Sequence, residues 1–463
     1  MSRGNRKMKS LPRSHVFFVG LMLFSLFFGA GNLIFPPILG QQAGDSFIYA
    51  ISGFILTGVG LPLLTVIAIA LSGRDMQHLA SRVHPKFGIL FAVVVYLSIG
   101  PSMGIPRVAN VAFEMGVRSF VPESLQSSSW VLFVYTLVFF CVVYWLCLNP
   151  SKLVVRVGNI LTPLLLISIT ILFIAAMMGP LGEAQPAIKE YAVSPGFKGF
   201  MEGYLTMDTI AALAFGIIVI NAIRDQGVQD KRTITRAAIQ AAIIAGVGLS
   251  LVYAALGFLG VTSVTGLGYA ANGGQLLTQI VQQLFGEAGL ILLAAIVTLA
   301  CLTTCIGLVS ACSQYFSTLL GRFTYNQIAF IICVLGLLVA NLGLNKIISI
   351  SIPILLIIYP VSIVLIILSL SHRLFGGRQS VYVGALVGTF IISIFDGLKQ
   401  ADIQFDTILS WLKMLPLYNQ GIGWLVPAIV GGVIGYLLGL IWPESKRFFY
   451  KVTRKFKTYF KKK

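Results

Sequence analysis

The four residues Gly29-Ala30-Gly31-Asn32 interrupt a long apolar stretch near the start of the chain and are the first candidates for chemistry. Glycine weakens a helix interior, and the nearby Pro36 and Pro37 lack the backbone N–H donor. In hydrocarbon, an unwound backbone is tolerated only where it is buried in protein or lines a cavity. The segment therefore predicts a binding site, although small residues would equally permit close packing between helices.

Asp208 is the second candidate, because it stands several residues inside another apolar stretch, Gly203 to Gly216. A carboxylate at the centre of a membrane helix costs roughly 2.5 to 3.5 kcal/mol, which favours a partner such as a cation or an ammonium group. If this helix begins later than we place it, Asp208 lies instead at the membrane interface. The sequence leaves both alternatives open.

A pair of adjacent hydroxyls, Thr303 and Thr304, is the third candidate, with Ala300 about one helical turn earlier. Two hydroxyls and one carbonyl could supply three oxygen ligands to a hard cation. Threonine in a helix also commonly bonds the carbonyl four residues before it, so the pattern is weak by itself.

Arg107 is a charge inside an apolar segment, directly after the Gly- and Pro-rich stretch 100–106. A guanidinium in that setting needs a carboxylate or the outer membrane interface. Glu114, two helical turns later, is a candidate partner for it.

Other kinds of site find little support. The six cysteines all fall inside apolar segments, which is typical of packing residues and not of a disulfide framework. Cys301 and Cys305 lie one turn apart, but no nearby His or carboxylate would complete a metal site. The sequence contains no Gly-rich phosphate loop or nucleophile elbow, so we predict neither an enzyme nor a bound cofactor.

The elements that must position these residues are membrane-spanning helices. Of the 463 residues, 57% are hydrophobic and 10% are charged, whereas a soluble domain carries roughly 25% charged residues. Apolar runs near 20 residues recur along the chain, and each is long enough to cross a bilayer as a helix. We predict twelve spans, at 14–40, 46–71, 87–113, 129–148, 155–179, 201–222, 236–261, 287–316, 326–342, 347–370, 380–398 and 421–442.

The basic residues predict the orientation of these spans. With the N-terminus in the cytoplasm, 26 of the 33 Lys and Arg residues fall in the two tails and in the loops of one side. This is the positive-inside pattern, so the net charge of +18 indicates orientation and not nucleic-acid binding. We predict a multi-pass protein of the cell membrane with both termini in the cytoplasm.

The two interrupted spans, the first and the sixth, are five helices apart and therefore cross in opposite directions. Two such breaks at matching positions of inverted halves are the best sequence indication of a transporter binding site. Half-helix N-termini there would face an anionic carboxylate, and freed carbonyls would face a cation.

The stretch 28–37, Phe-Gly-Ala-Gly-Asn-Leu-Ile-Phe-Pro-Pro, resembles the opening helix of the bacterial branched-chain amino acid:cation symporters, the LIVCS family. The span count, the third span, Met207-Asp208-Thr209 and the basic tail extend the resemblance over essentially the whole chain. It implies an all-α integral membrane protein of the LeuT-type fold, with helices 1 and 6 discontinuous. The implied parts are a basic cytoplasmic N-tail at 1–13, a five-helix repeat at 14–179, an inverted five-helix repeat at 201–370, helices 11 and 12 at 380–442, and a basic cytoplasmic C-tail at 443–463.

The resemblance also implies the binding residues. The substrate carboxylate would meet backbone amides at the first break, and Phe215 would lie over the substrate. Asp208 departs from the usual uncharged segment of amino acid carriers with this fold, so it could meet the substrate ammonium, a sodium ion or a proton. The implied substrate-binding residues are Gly29, Ala30, Gly31, Asn32, Met207, Asp208, Thr209, Ala211 and Phe215, and the implied sodium ligands are Ser25, Phe28, Ala300, Thr303 and Thr304.

The predicted function is uptake of leucine, isoleucine or valine by alternating access, with sodium as the coupling ion. The alternative among transporters is proton coupling, with Asp208 as the titrating group. A passive channel and a membrane-embedded enzyme are the alternatives from other classes. The predicted partners are the amino acid and the lipid bilayer, with no nucleic acid and no required ATPase subunit.

Overall fold

The computed structural model describes residues 12–126, 128–148, 163, 166–175, 177–178, 181–403 and 410–441. In these ranges the regular elements are helices, with no β-strand. Seven helical stretches there are long and apolar enough to cross a membrane, and one bent pair makes an eighth. We number the longer helices α1 (Arg13–Phe27), α2 (Ala30–Ala43), α3 (Phe47–Ile55), α4 (Leu61–Ser72), α5 (Met76–Ala80), α6 (Pro85–Leu97), α7 (Gly104–Gly116), α8 (Ser129–Cys147), α9 (Leu166–Ala175), α10 (Pro195–Glu202), α11 (Asp208–Asp225), α12 (Lys231–Leu267), α13 (Gly273–Leu320), α14 (Tyr325–Ala340), α15 (Leu344–Leu370), α16 (Gln379–Gln400) and α17 (Leu425–Ile441).

Most predicted spans coincide with a helix to within a few residues, but the predicted loop 262–286 is largely helical. Helix α12 continues to Leu267, and α13 already begins at Gly273. Asn272 caps α13 by accepting a hydrogen bond from the Gln275 N–H at 3.0 Å. A bend follows at Gly286, whose φ of 62° suits glycine. Several polar residues in 272–286 lower its hydropathy, which is why the sequence predicted a loop there.

About half of the predicted fifth span, 155–179, lies outside the described residues. Helix α9 lies in its second half. The tails at 1–11 and 442–463 also lie outside the described ranges. The count of twelve spans and the two five-helix repeats therefore remain predictions.

The first break lies where the glycines predict it. Helix α1 ends at Phe27 and α2 begins at Ala30, with Gly29 in an extended conformation between them. The side chain of Asn32 caps α2, because its Oδ1 accepts a hydrogen bond from the Gly29 N–H at 3.3 Å. Asn32 therefore disfavours one continuous helix and also stabilises the start of α2.

A second break separates α10 and its following turn, Gly203–Thr206, from α11, and the two parts meet at 47°. Met207 at the junction has a φ of 66°, in the left-handed region that residues with a side chain rarely adopt. Asp208 therefore stands in the first turn of α11, inside the molecule.

Glycines allow α2 to contact α12 backbone to backbone. A Cβ on Gly40 would lie 1.9 Å from the Gly257 carbonyl oxygen, and one on Gly260 would lie 2.0 Å from that of Pro37. Such contacts exclude any larger residue and are typical of membrane helix interfaces. They fix α2, and with it the first break, against α12.

Candidate functional site

The two breaks share one cavity with α7 and α13. Its empty space, including its opening, is about 390 Å³. Predicted site residues on its wall are Gly29, Ala30, Gly31, Asn32, Met207, Asp208, Ala211, Phe215 and Thr304. The other residues that line it are Leu26, Phe27, Ile99, Gly104, Arg107, Val108, Thr206 and Leu308.

Five predicted residues lie off this wall. Thr209 is buried in α11 beside Asp208, and Ser25 is half-buried in α1, one turn before the break. Phe28, at the first break, and Ala300 and Thr303, in α13, are buried. The structure therefore groups the substrate residues more tightly than the sodium residues.

Asp208 is held by hydrogen bonds from two other helices. Asn32 Nδ2 in α2 donates to its Oδ2 at 2.7 Å, and the Tyr253 hydroxyl in α12 donates to the same oxygen at 2.9 Å. Asn32 Nδ2 also contacts the Tyr253 hydroxyl. Only 3% of the Asp208 surface is exposed, so the carboxylate is buried inside the protein.

The first break and α13 meet through oxygen atoms. The Thr304 hydroxyl lies 3.5 Å from the Phe28 carbonyl oxygen, and the methyl group of Thr304 faces Gly29. Within α13, the Thr303 hydroxyl donates to the Ala300 carbonyl at 2.8 Å and to that of Leu299 at 3.1 Å. Both hydroxyls could rotate to present a lone pair, and neutral oxygen ligands suit a hard monovalent cation.

Arg107 does not pair with Glu114, so that candidate partner is wrong. Its Nη1 donates to the Leu205 carbonyl at 2.6 Å and its Nη2 donates to the Thr206 carbonyl at 3.0 Å. Glu114 forms an ion pair with Arg118 at 2.7 Å. Seven residues along a helix span about 10 Å, so Glu114 is too far along α7, whereas the second break offers free carbonyls.

Tyr253 and Thr206 are site residues that the sequence reasoning missed. Tyr253 stands alone in an apolar span, and nothing local marks it as a partner of Asp208. The Thr206 hydroxyl accepts a hydrogen bond from the Asp208 N–H at 3.3 Å. Thr206 precedes a conspicuous carboxylate by two residues, a spacing at which a short polar side chain often caps the backbone.

Comparison with known sequences finds a match over residues 12–441 to the family described as branched-chain amino acid transport protein. The branched-chain amino acid permease BraB of Bacillus subtilis is 47% identical over 95% of this chain and 98% of its own length. The branched-chain amino acid transport system 2 carrier protein of Pseudomonas aeruginosa is 46% identical, covering 90% and 94%. The permease BrnQ of Escherichia coli K12 is 40% identical, covering 92% and 95%.

Two solved transporters share the fold. Mhp1, a nucleobase-cation-symport-1 family transporter with bromovinylhydantoin bound, superposes with a TM-score of 0.59 at 13% identity, over 91% of each chain. MhsT in complex with L-phenylalanine superposes with a TM-score of 0.58 at 15% identity, over 94% of this chain and 99% of its own. At these identities the likeness concerns the fold alone, which is the LeuT-type fold.

Proposed function

Because the chain belongs to the branched-chain amino acid transport protein family, we propose that it imports leucine, isoleucine and valine together with sodium by alternating access. Membership makes it a membrane transporter of branched-chain amino acids and not an enzyme. The coupling ion, the direction of transport and the binding residues are parts of the proposal.

The observation that carries the proposal is the cavity between the two helix breaks. The first turn of α2 begins at this cavity, and its leading N–H groups have no acceptor within their own helix. A carboxylate is favoured there by the helix dipole as well. Asp208 on the same wall supplies the negative charge that a substrate ammonium group would seek.

The rest of the wall suits a branched apolar side chain. Ile99, Val108, Phe215 and Leu308 line the cavity with Ala211. One methylene in such a pocket is worth only about 1–3 kcal/mol, so leucine, isoleucine and valine should compete with one another.

Sodium would bind between the first break and α13, through the carbonyls of Phe28 and Ala300 and the hydroxyls of Thr303 and Thr304, with Ser25 as a further ligand. A cation there ties α1 and α2 to α13, which would favour one of the two access states. One charge crossing 100 mV provides about 2.3 kcal/mol, enough for roughly fifty-fold accumulation.

Asp208 favours proton coupling as the second candidate. A carboxyl group that is buried and lines the transport cavity could bind and release a proton in each cycle. In that case the oxygens around Thr304 would only pack the break against α13.

Uptake of radiolabelled leucine into proteoliposomes separates these mechanisms. We expect accumulation with an inward sodium gradient at equal pH, inhibition by excess isoleucine or valine, and none in protein-free vesicles. Accumulation driven by a proton gradient without sodium would replace sodium coupling with proton coupling. Equilibration without accumulation under either gradient would indicate a passive pore.

The cell membrane is the proposed location, with both termini in the cytoplasm, since the basic residues favour that orientation. The proposal requires no ATPase subunit, because ion gradients supply the driving force.

A further inference from the structure

We propose that Arg107 recognises the carboxylate of the transported amino acid, together with the backbone amides at the start of α2. The inference rests on the proposed amino acid transport and names a charged residue at the site where the substrate is recognised. Neither the pattern of glycines at the first break nor the Asp208 segment points to it.

The guanidinium of Arg107 is fixed in place from one side. Its two hydrogen bonds to the Leu205 and Thr206 carbonyls use one N–H of Nη1 and one of Nη2. The ring of Phe35 lies 5.4 Å from its central carbon, a distance typical of a cation–π contact. Arg107 is therefore held in position before any substrate arrives.

Part of the same guanidinium is left without a partner. Its Nε is buried and makes no hydrogen bond in the described part of the chain. The ion pairs found among the described residues do not include Arg107. Nε–H and the second N–H of Nη2 lie along one edge of the guanidinium, the fork that binds a carboxylate through two parallel hydrogen bonds. A buried charge with free donors of this kind calls for an anion.

The guanidinium of Arg107 lies beside the start of α2. A Cβ placed on Gly31 would be 3.0 Å from Arg107 Nη2, so the guanidinium sits directly against the first turn. Both residues line the cavity. An anion at this point would meet the guanidinium and the leading N–H groups of the helix together.

The charges of the cavity then match those of a zwitterion. Arg107 and Asp208 both line it, only 4% and 3% exposed, and are not paired with each other within 4.0 Å. A free α-amino acid brings a carboxylate and an ammonium group to the same small space. Arg107 would take the first and Asp208 the second, which selects for unmodified α-amino acids.

The test compares leucine with leucinamide, which replaces the carboxylate by a neutral amide. Dissociation constants of both are measured on the purified protein by competition with radiolabelled leucine, at fixed sodium and pH. In R107Q we expect leucine to bind roughly 10- to 100-fold more weakly, with leucinamide changed far less. The preference for leucine over leucinamide should therefore fall by a similar factor.

If R107Q does not fold, R107K replaces it, because lysine keeps the positive charge but lacks the two parallel N–H donors of the guanidinium. The preference of R107K for leucine over leucinamide should lie between those of the wild type and R107Q. Arg118→Gln is the matched control, since Arg118 pairs with Glu114 and does not line the cavity. The preference of this variant for leucine over leucinamide should equal that of the wild type. If both ligands weaken equally in the Arg107 variants, Arg107 only supports the second break and the inference is wrong. If the wild type binds no leucine, the proposed function itself fails.

Discussion

The carboxylate of Asp208 has two roles, because it joins three helices through one oxygen atom and also faces the cavity. Its Oδ2 accepts hydrogen bonds from Asn32 and Tyr253, which hold α2 and α12 against α11. The same carboxylate faces the cavity, where it would meet the ammonium group of the substrate. Replacing it with an amide tests both roles, because an amide keeps the size and removes the charge.

Asp208→Asn should lower leucine uptake at least about tenfold, since a buried hydrogen-bonded charge is worth roughly 1.5–3 kcal/mol. The measurement is initial uptake by proteoliposomes with a matched amount of folded protein. Asp402→Asn is the control, because Asp402 is exposed and its left-handed backbone suits asparagine equally well. Full activity of the Asp208 variant would leave this carboxylate without a role in transport.

The Thr304 hydroxyl lies within hydrogen-bonding distance, 3.5 Å, of the Phe28 carbonyl oxygen. Removing it should therefore weaken sodium binding more than leucine binding. Thr304→Ala is expected to raise the sodium concentration for half-maximal uptake roughly tenfold. This factor corresponds to a loss of about 1.4 kcal/mol of sodium binding free energy with one ligand removed. Thr304→Ser should restore most of the affinity.

Thr278→Ala is the matched control for that experiment. Thr278 lies in the same helix, and its hydroxyl bonds the Gly274 carbonyl at 2.9 Å, away from the cavity. An unchanged sodium dependence in Thr304→Ala would remove Thr304 from the ion site and favour the view that it only packs against Gly29.

At the scale of helices, both breaks were predictable because their causes are local. Two glycines and an asparagine lie together at 29–32, and a carboxylate stands alone in an apolar run at 208. The partners across the breaks were not predictable, because Arg107 and Tyr253 reach them from helices distant in the sequence. Glu114 was the wrong partner for the same reason, since the sequence offered only a neighbour along one helix.

A substitution at Gly31 tests how closely the backbones of the two helix breaks must approach each other. A Cβ there would lie 3.1 Å from the Thr206 carbonyl oxygen and 3.2 Å from its Cα, so the backbone of the second break would have to retreat. Gly31→Ala should reduce leucine uptake more than about tenfold while lowering thermal stability only modestly, because the misfit is confined to the cavity wall.

Gly60→Ala provides the comparison, because the atoms nearest to an added Cβ there are 3.8 and 3.9 Å away. Uptake and thermal stability in detergent are measured for both variants. Equal activity of Gly31→Ala and Gly60→Ala would show that the breaks tolerate a wider separation than the structure has.

At the scale of the whole molecule, the basic residues predict which ends of the helices face the cytoplasm, and the helix packing does not. Helices α11 and α12 are joined by the short segment 226–230, which is flanked by the basic residues Arg224 and Lys231, and we place it in the cytoplasm. The segment between α12 and α13, which includes Tyr269, contains no Lys or Arg and is placed outside. The two segments lie at opposite ends of α12, which at 37 residues is long enough to cross the bilayer.

Single cysteines test this orientation in a background from which the six native cysteines have been removed. Gln229 and Tyr269 are suitable sites, because both are exposed and neither lines the cavity. Asp230 is left intact, since it caps α12, and hydrogen bonds from Thr233 hold the pKa of its carboxyl below the ordinary value. In intact cells, a membrane-impermeant maleimide should label Tyr269→Cys and spare Gln229→Cys, and permeabilised cells should label both. The reverse pattern would contradict the proposed orientation, in which both termini lie in the cytoplasm.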